Sequence, residues 1–186
     1  MDQFEESDTE QVVSLFRDAA EDLKADREVV RKAISLNPSC IEDAHEMFHS
    51  DREIMKHVIE NEFYRMRLLG EALKHDREII LLACKQNSVC LQYADENTAN
   101  DKDFVMSIIQ MNSGYPYSYI GNTLKKDRQV ALACISRDGD CFSEFPDMTS
   151  DREIFEIAFA QSCYCLRYAS QEIQNDIEIV KQALRL

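Results

Sequence analysis

The chain has 186 residues, of which 45% are apolar and 30% are charged, and its formal net charge is −14. The composition is ordinary for a globular protein. The acidic excess argues against a surface that follows nucleic-acid phosphates or an anionic membrane, because both require clustered Lys and Arg. We therefore expect a partner that is neither a membrane nor a nucleic acid, and an RNA-binding helical repeat stays as an alternative that conflicts with this charge.

Gly and Pro are scarce, with four and three copies, and Trp is absent. Such a shortage of turn-forming residues, beside many Leu, Ile, Ala, Glu and Lys, favours helices over strands. No apolar run approaches the length of a membrane span. The composition therefore predicts a helical protein without a membrane-spanning segment.

The first ten residues and the cysteines both bear on location. The acidic start lacks the basic and apolar segments of a targeting signal. The number of cysteines, seven, is odd, and no C-x-x-C pair occurs. This is typical of reduced thiols rather than a disulfide framework, so the sequence predicts a cytoplasmic protein.

An Asp-led motif recurs along the chain. It reads Asp-Arg-Glu followed by Ile or Val at four places, and looser copies begin at Asp101, Asp127 and Asp176. From Asp26 to Asp176 the spacings between successive Asp residues are 25, 25, 25, 26, 24 and 25. A fixed period of this length is typical of stacked supersecondary units. Six repeats are predicted, beginning at Asp26, Asp51, Asp76, Asp101, Asp127 and Asp151.

The first part of each repeat is predicted to be an amphipathic helix. With the Asp counted as position 0, positions 3, 4, 7 and 8 are apolar in almost every repeat, which places them on one helical face. The N-cap is either the Asp itself or the Ser or Asn that precedes it in five of the copies. Near position 11 an Asn or Asp, such as Asn37, predicts the end of the helix in a left-handed conformation.

A second apolar set predicts a second, shorter helix that packs back on the first. It occupies positions 15, 18 and 22, as in Ile41, Ala44 and Phe48. A helix pair this short cannot bury its own apolar stripe, whereas stacked neighbours can. We therefore predict an all-α fold, an α-solenoid of six two-helix repeats in one domain spanning 1–186. A compressed copy in 1–25 and a half-repeat in 176–186 are predicted to cap its ends.

The repeat resembles that of a known family, domain of unknown function 4116 (DUF4116). The closest copies are Leu91-Gln92-Tyr93-Ala94 and Leu166-Arg167-Tyr168-Ala169, each at the expected distance after Asp-Arg-Glu-Ile. The resemblance extends from about Lys24 to Leu186 and implies helical hairpins, but it implies no reaction and no catalytic residues. Repeats four and five depart from its second-helix pattern.

One motif has catalytic chemistry, the H-E-x-x-H of His45-Glu46-Met47-Phe48-His49. On an α-helix this spacing puts two imidazoles on one face as zinc ligands, with the Glu as general base. The motif lies at the end of a predicted helix, and the sequence specifies no third ligand. A zinc-dependent hydrolase using His45, Glu46 and His49 is therefore the alternative to a non-enzymatic protein without cofactors.

The cysteines follow the repeat instead of forming a catalytic arrangement. Position 14 or the first-helix stripe holds six of them: Cys40, Cys90, Cys141, Cys165, Cys84 and Cys134. All four His lie in repeats one to three, away from most of the Cys. We therefore predict that the thiols are small apolar filling rather than nucleophiles.

The irregular repeats four and five are where a binding site is expected, because they break the local pattern. Repeat four carries three Tyr at alternate positions, and repeat five carries an Asp-Gly-Asp turn. Aromatic and polar side chains on a bent segment suit a protein contact. We predict contacts to a partner protein at Tyr115, Tyr117, Asp138 and Asp140. The alternative is that Tyr119 and Phe145 refill the core around a distorted helix.

A ladder of basic residues occupies position 1: Arg27, Arg52, Arg77, Lys102, Arg128 and Arg152. One interpretation is that this strip grips an acidic peptide. The other is a structural ladder, in which each cation is neutralised by the Asp and Glu beside it in the motif, which the spacing favours, or is used against acidic residues of a neighbouring unit. The whole pattern predicts a non-enzymatic protein-interaction or scaffold module, acting alone or within a larger assembly.

Overall fold

The computed structural model describes residues 6–111 and 115–184, with residues 6–9 described by their backbone alone. The chain divides into two compact lobes, Met1–Asp95 and Glu96–Leu186. Every regular element in the described residues is helical, which confirms the predicted all-α fold. The solenoid and the single domain spanning 1–186 stay predictions. No helix in the described ranges is both long and apolar enough to pass through a membrane.

The N-terminal lobe contains the compressed copy and repeats one to three. Its α-helices are α1 (Glu6–Arg17), α2 (Glu21–Lys24), α3 (Arg27–Leu36), α4 (Arg52–Asn61) and α5 (Arg77–Gln86). Its 3₁₀ helices are η1 (Pro38–Glu42), η2 (Glu46–Ser50), η3 (Phe63–Leu68), η4 (Glu71–Leu73) and η5 (Ser88–Tyr93).

The C-terminal lobe begins with the last turn of repeat three and contains repeats four to six. Its α-helices are α6 (Glu96–Ala99), α7 (Lys102–Gln110), α8 (Arg128–Ile135), α9 (Arg152–Gln161), α10 (Gln171–Gln174) and α11 (Ile177–Leu184). Its 3₁₀ helices are η6 (Tyr117–Tyr119), η7 (Leu124–Lys126), η8 (Gly139–Glu144), η9 (Pro146–Met148) and η10 (Cys163–Tyr168).

The Asp at position 0 is the N-cap of the main helix in all six repeats, which decides between the two predicted caps. Its carboxylate accepts the N–H of position 3 at 2.9–3.2 Å, from Asp26 to Asp151. A carboxylate here satisfies an unpaired amide and complements the helix dipole. The compressed copy differs, since α1 begins at Glu6, before Asp8.

The predicted left-handed helix end is wrong at Asn37, Asn87 and Asp138, and the one predicted at Asn112 lies outside the described residues. Asn37, Asn87 and Asp138 have φ of −149°, −152° and −147°, which is extended backbone. Each side chain instead accepts the N–H two residues ahead, at 2.9–3.0 Å. The Asx side chain therefore starts the following 3₁₀ helix, a role that competes with left-handed termination.

The predicted second helix is two short helical elements separated by extended backbone. At position 19 the chain leaves the helix. The N–H of this residue donates to the carbonyl oxygen of the residue that lies two positions before the Asp of its own repeat, at the end of the preceding repeat. These bonds, 2.8–3.2 Å long, join His45 to Lys24, Gly70 to His49, Asp95 to Lys74, Gly121 to Ala99 and Ser170 to Thr149. In a continuous helix that N–H would donate to a carbonyl of the same helix. The break therefore frees it for a backbone hydrogen bond that joins one repeat to the preceding one.

Repeats four and five differ in length at identifiable places. The additional residue of repeat four falls before η6, so Tyr117 occupies position 15 and is buried. Gly121 then makes the inter-repeat backbone bond, at 2.8 Å. In repeat five, position 19 is Pro146, which has no N–H to donate, and the next buried residue, Met148, comes one residue early.

Within each lobe, the basic ladder links a repeat to the one that follows it. Arg27 pairs with Asp51 at 2.6 Å and with Glu53 at 3.1 Å. In the C-terminal lobe, Arg128 pairs with Asp151 at 2.7 Å and likewise reaches the following Glu. Lys102 replaces Arg in repeat four, and its partners are Asp127 and Gln129, at 2.7 and 2.8 Å.

The ladder is therefore structural, but its partners are the acids of the next repeat rather than those beside each cation. Because these pairs are about half exposed, we expect them to fix the register of neighbouring repeats more than to add stability. In the ion pairs described within each lobe, the cations predicted to grip an acidic peptide are already bound by carboxylates of the following repeat.

Candidate functional site

An exposed tyrosine recurs at one position of alternate repeats. Position 13 holds Tyr64 in repeat two and Tyr164 in repeat six, and it holds Tyr115 in repeat four once the additional residue is counted. These side chains are 52%, 76% and 67% exposed. A large aromatic ring left in water forgoes the stabilisation that its burial would supply. The recurrence therefore marks these tyrosines as candidate contact residues.

The odd repeats show that the fold does not require an aromatic ring at this position. They hold Ser39, Val89 and Asp140 there, and the N–H of each is bound by the Asx cap. In repeats two and six the residues before the 3₁₀ helix, Glu62 and Ser162, make no side-chain cap bond. In the described residues, repeats one, three and five have a capped turn with a shorter side chain, and repeats two and six have an uncapped turn that carries tyrosine.

Tyr64 stands on a charged network in the N-terminal lobe. The guanidinium carbon of Arg65 lies 4.9 Å from its ring centroid, and Phe63 packs edge-on at 6.1 Å. Arg65 itself is only 9% exposed. Its partners are Glu62 and Ser39, each at 2.8 Å, and Glu42. The network holds one side of the ring in place, which lowers the entropy lost when a partner covers the other side.

Tyr164 lies beside a second aromatic and basic group in the C-terminal lobe. Cys163, Leu166, Arg167 and Gln174 line a shallow depression with it. Arg167 also lies 5.1 Å from the ring centroid of Tyr168, a cation–π distance. Tyr and Arg are the residue types that most often dominate binding energy in protein interfaces.

The same two-repeat alternation appears in the comparison with known families. A family model described as a domain of unknown function (DUF4116) matches the chain four times, at 11–49, 51–98, 101–148 and 151–186. The chain belongs to the DUF4116 family. No curated protein and no solved structure matches it.

One full DUF4116 match spans two of the 25-residue repeats. The second, third and fourth matches each begin with a repeat that bears the exposed tyrosine, at 51, 101 and 151. The alternation at position 13 gives a physical reason for the longer unit, because neighbouring repeats hold an exposed tyrosine and a shorter side chain in turn. The resemblance to DUF4116 drawn from the sequence is confirmed.

The predicted contact residues divide into two exposed and two used by the fold. Tyr115 and Asp140 are exposed, and their contact with a partner stays a prediction. Tyr117 is 5% exposed, because it takes the core position that Ile41 takes in repeat one. The carboxylate of Asp138 accepts the N–H of Asp140 at 3.0 Å as a cap.

The alternative in which Tyr119 and Phe145 refill the core is right for one of them. Phe145 is fully buried, whereas Tyr119 is exposed and Tyr117 fills the core instead. Between Asp138 and Asp140, Gly139 is needed because a Cβ there would lie 2.7 Å from the carbonyl oxygen of Ala158. Its N–H donates to Gln161 at 3.0 Å, so the Asp-Gly-Asp turn is partly a packing element.

The H-E-x-x-H motif does not have the helical geometry that zinc ligation needs. Glu46–Ser50 is a 3₁₀ helix, in which residues four apart do not share a face. His45 caps it, with Nδ1 accepting the N–H of Met47 at 3.2 Å, and His49 Nε2 lies 3.4 Å from the carbonyl oxygen of Ile41. In the described residues no group of three or more His, Cys, Asp or Glu could hold a metal ion. The hydrolase alternative therefore has no support from this geometry.

Six of the seven cysteines are buried, as the repeat positions predict. Burial raises the pKa of Cys40 and Cys90 to about 11 and that of Cys84 and Cys134 to about 12. A thiol with so high a pKa stays protonated near neutral pH and is a poor nucleophile. Cys163, beside Tyr164, is the exposed one.

Proposed function

We propose that this DUF4116 chain is a non-enzymatic protein-interaction or scaffold module, and that the exposed tyrosines of its even repeats supply the contacts. The supporting observation is the recurrence of Tyr64, Tyr115 and Tyr164 at one position where the odd repeats fold without an aromatic ring. A cytoplasmic location belongs to the same proposal and is supported by the buried cysteines, which form no disulfide in the described residues.

Tyrosine suits this role because its ring is large and rigid and its hydroxyl can hydrogen-bond at the edge of a contact. Arg67 and Arg167 each follow a position-13 tyrosine by three residues, so repeats two and six present the same pair of residue types. In protein interfaces such side chains cost more than about 2 kcal/mol when truncated at a central position. The proposal therefore predicts a large effect from few substitutions.

The test compares three forms of the full chain in quantitative affinity capture from cell extract. The test variant carries Tyr64→Ser, Tyr115→Ser and Tyr164→Ser, since Ser39 shows that the repeat accepts serine at this position. The control carries Tyr119→Ser, which removes an exposed tyrosine at position 17 that belongs to neither tyrosine–arginine group. Circular dichroism and melting temperature confirm that all three forms fold alike.

We expect a protein that is retained by the parent and by the control but lost by the test variant. Titration of that protein, once purified, should then show at least about tenfold weaker binding to the test variant. If the captured proteins bind the parent and the test variant equally well, the tyrosines are not the contacts and the proposal is wrong.

A further inference from the structure

The compressed copy at the start of the chain lacks one element that repeats one to three have. Asp8 and Asp26 are 18 residues apart instead of 25. In the structure, three residues separate α1 from α2, whereas η1 lies between α3 and η2 in repeat one. The copy therefore has a main helix and a last turn, with no counterpart of η1.

In repeat one this element fills the space between two successive main helices. η1 packs against its own helix, α3, and against the next one, α4. η3 does the same between α4 and α5. The missing counterpart would accordingly lie between α1 and α3.

Exposure of apolar side chains on α1 and α3 agrees with this vacancy. Leu15, at position 7 of the compressed copy, is 73% exposed, whereas Ala33 and Val58 at that position are buried. Val29, at position 3, is only half-buried, whereas Ile54 at that position is 3% exposed. The missing counterpart of η1 would cover both side chains, so its absence accounts for the exposure of Leu15 and of Val29.

The vacancy is an apolar groove of about 570 Å³ along the two helices. Seven apolar side chains line it, with one acid and one base at its margin: Val12, Leu15, Phe16, Ala19, Val29, Ala33, Leu36, Glu28 and Lys32. Two parallel rows of apolar side chains at helical spacing form the kind of groove in which a short helix docks.

The charges around the groove favour a basic occupant. In repeats two and three the acids at positions 0 and 2 receive the Arg of the preceding repeat. At repeat one the equivalent acids are Asp26 and Glu28, and neither has a basic partner among the residues described. Residues 1–26 contain nine acidic and two basic residues, a net charge of −7.

We propose that the groove between α1 and α3 binds a short helical segment of a partner protein. The segment places an aliphatic side chain against Leu15 and Val29, in the place that η1 takes between α3 and α4, and an arginine against Asp26 and Glu28. A second copy of the chain is a poor occupant because it brings a further net charge of −14 to an acidic edge. No tyrosine of the proposed contacts lines this groove, so either proposal can fail without the other.

The probe is a labelled synthetic peptide with the sequence of residues 37–43, which includes η1, placed between two pairs of arginines. The matched peptide has glutamates in place of the arginines. Fluorescence anisotropy with the full chain is expected to show binding of the arginine peptide that is at least about tenfold tighter than that of the glutamate peptide, with the difference shrinking at high salt.

Two variants locate the binding site. Leu15→Gln is expected to weaken the arginine peptide at least about tenfold, and Leu23→Gln, an exposed leucine outside the groove, should leave it unchanged. Glu28→Gln should reduce the preference for the arginine peptide over the glutamate peptide.

Three results would overturn the inference. The arginine peptide could fail to bind the parent chain, or Leu15→Gln could bind it as well as Leu23→Gln does. Sedimentation equilibrium could also reveal a dimer that Leu15→Gln dissociates, which would make a second copy the occupant.

Discussion

Arg65 is a single side chain on which several neighbours depend. It occupies position 14, where four other repeats hold a buried Cys, and its guanidinium satisfies Glu62, Glu42 and Ser39. We predict that Arg65→Cys destabilises the protein by about 3 kcal/mol, because removing one member of a largely buried ion pair leaves the other without its partner. Chemical denaturation monitored by circular dichroism measures this loss.

The control for this prediction is Arg67→Ala, which removes a more exposed arginine from the same Glu42 and should cost less than about 1 kcal/mol. Adding Glu62→Ser to Arg65→Cys recreates the pair that repeat six has, Ser162 and Cys165. This double variant should recover part of the lost stability, since the stranded carboxylate is gone. Additive losses would show that the carboxylate is not what makes the single change costly.

At the scale of the element, the sequence predicts helices better than their ends. Apolar spacing and the Asp cap are local properties, so α3 to α5 and their buried stripe follow from the sequence directly. The break at position 19 does not, because its N–H bonds to a different repeat and the sequence shows only that residues as unlike as His45, Gly70 and Asp95 tolerate it. A hydrogen bond between residues distant in sequence causes this break, and the spacing of apolar residues does not predict such a bond.

The candidate site shows the same division between local and non-local information. The irregular segment around Tyr115 is visible in the sequence, and Tyr115 is exposed as expected. Tyr64 and Tyr164 were missed although they share its repeat position, because the additional residue of repeat four hides the alignment until the register is known. Counting backwards from the Asp of the following repeat, as well as forwards from the preceding one, would have shown that the three tyrosines share a position.

Asn87 has two roles, at the end of one helix and at the start of the next, and the second role can be tested by substitution. Asn87 ends α5, and its side chain accepts the N–H of Val89 to start η5. Asn87→Ala should cost about 1 kcal/mol in unfolding free energy, the usual value for a lost cap. Ser162→Ala, at the same position of repeat six without a side-chain cap bond, should be close to neutral. Similar losses for both variants in urea unfolding would mean that the cap bond contributes little.

For the whole molecule, the ladder makes stability depend on pH. The hydrogen bond from Arg128 lowers the pKa of Asp151, that from Arg152 lowers the pKa of Asp176, and Lys56 with Arg52 lowers that of Glu78 to about 2. A carboxyl group with a lower pKa in the folded state stabilises that state above its unfolded pKa, near 4. The contribution is then lost as pH falls toward the folded pKa.

We therefore predict that Arg128→Gln lowers the melting temperature at pH 7, and that this effect shrinks as the pH falls below the unfolded pKa of Asp151, because the stabilisation that comes with its lowered pKa is lost there. Lys126→Gln removes the same charge without a ladder partner and controls for the change in net charge, which matters in a chain with a net charge of −14. Melting temperatures are measured at pH 7, above the isoelectric point of about 4.7, and at pH 3 and 2, below it. A difference between Arg128→Gln and Lys126→Gln that persists unchanged at pH 2 would show that the ladder acts through packing of the arginine stem and not through its ion pairs.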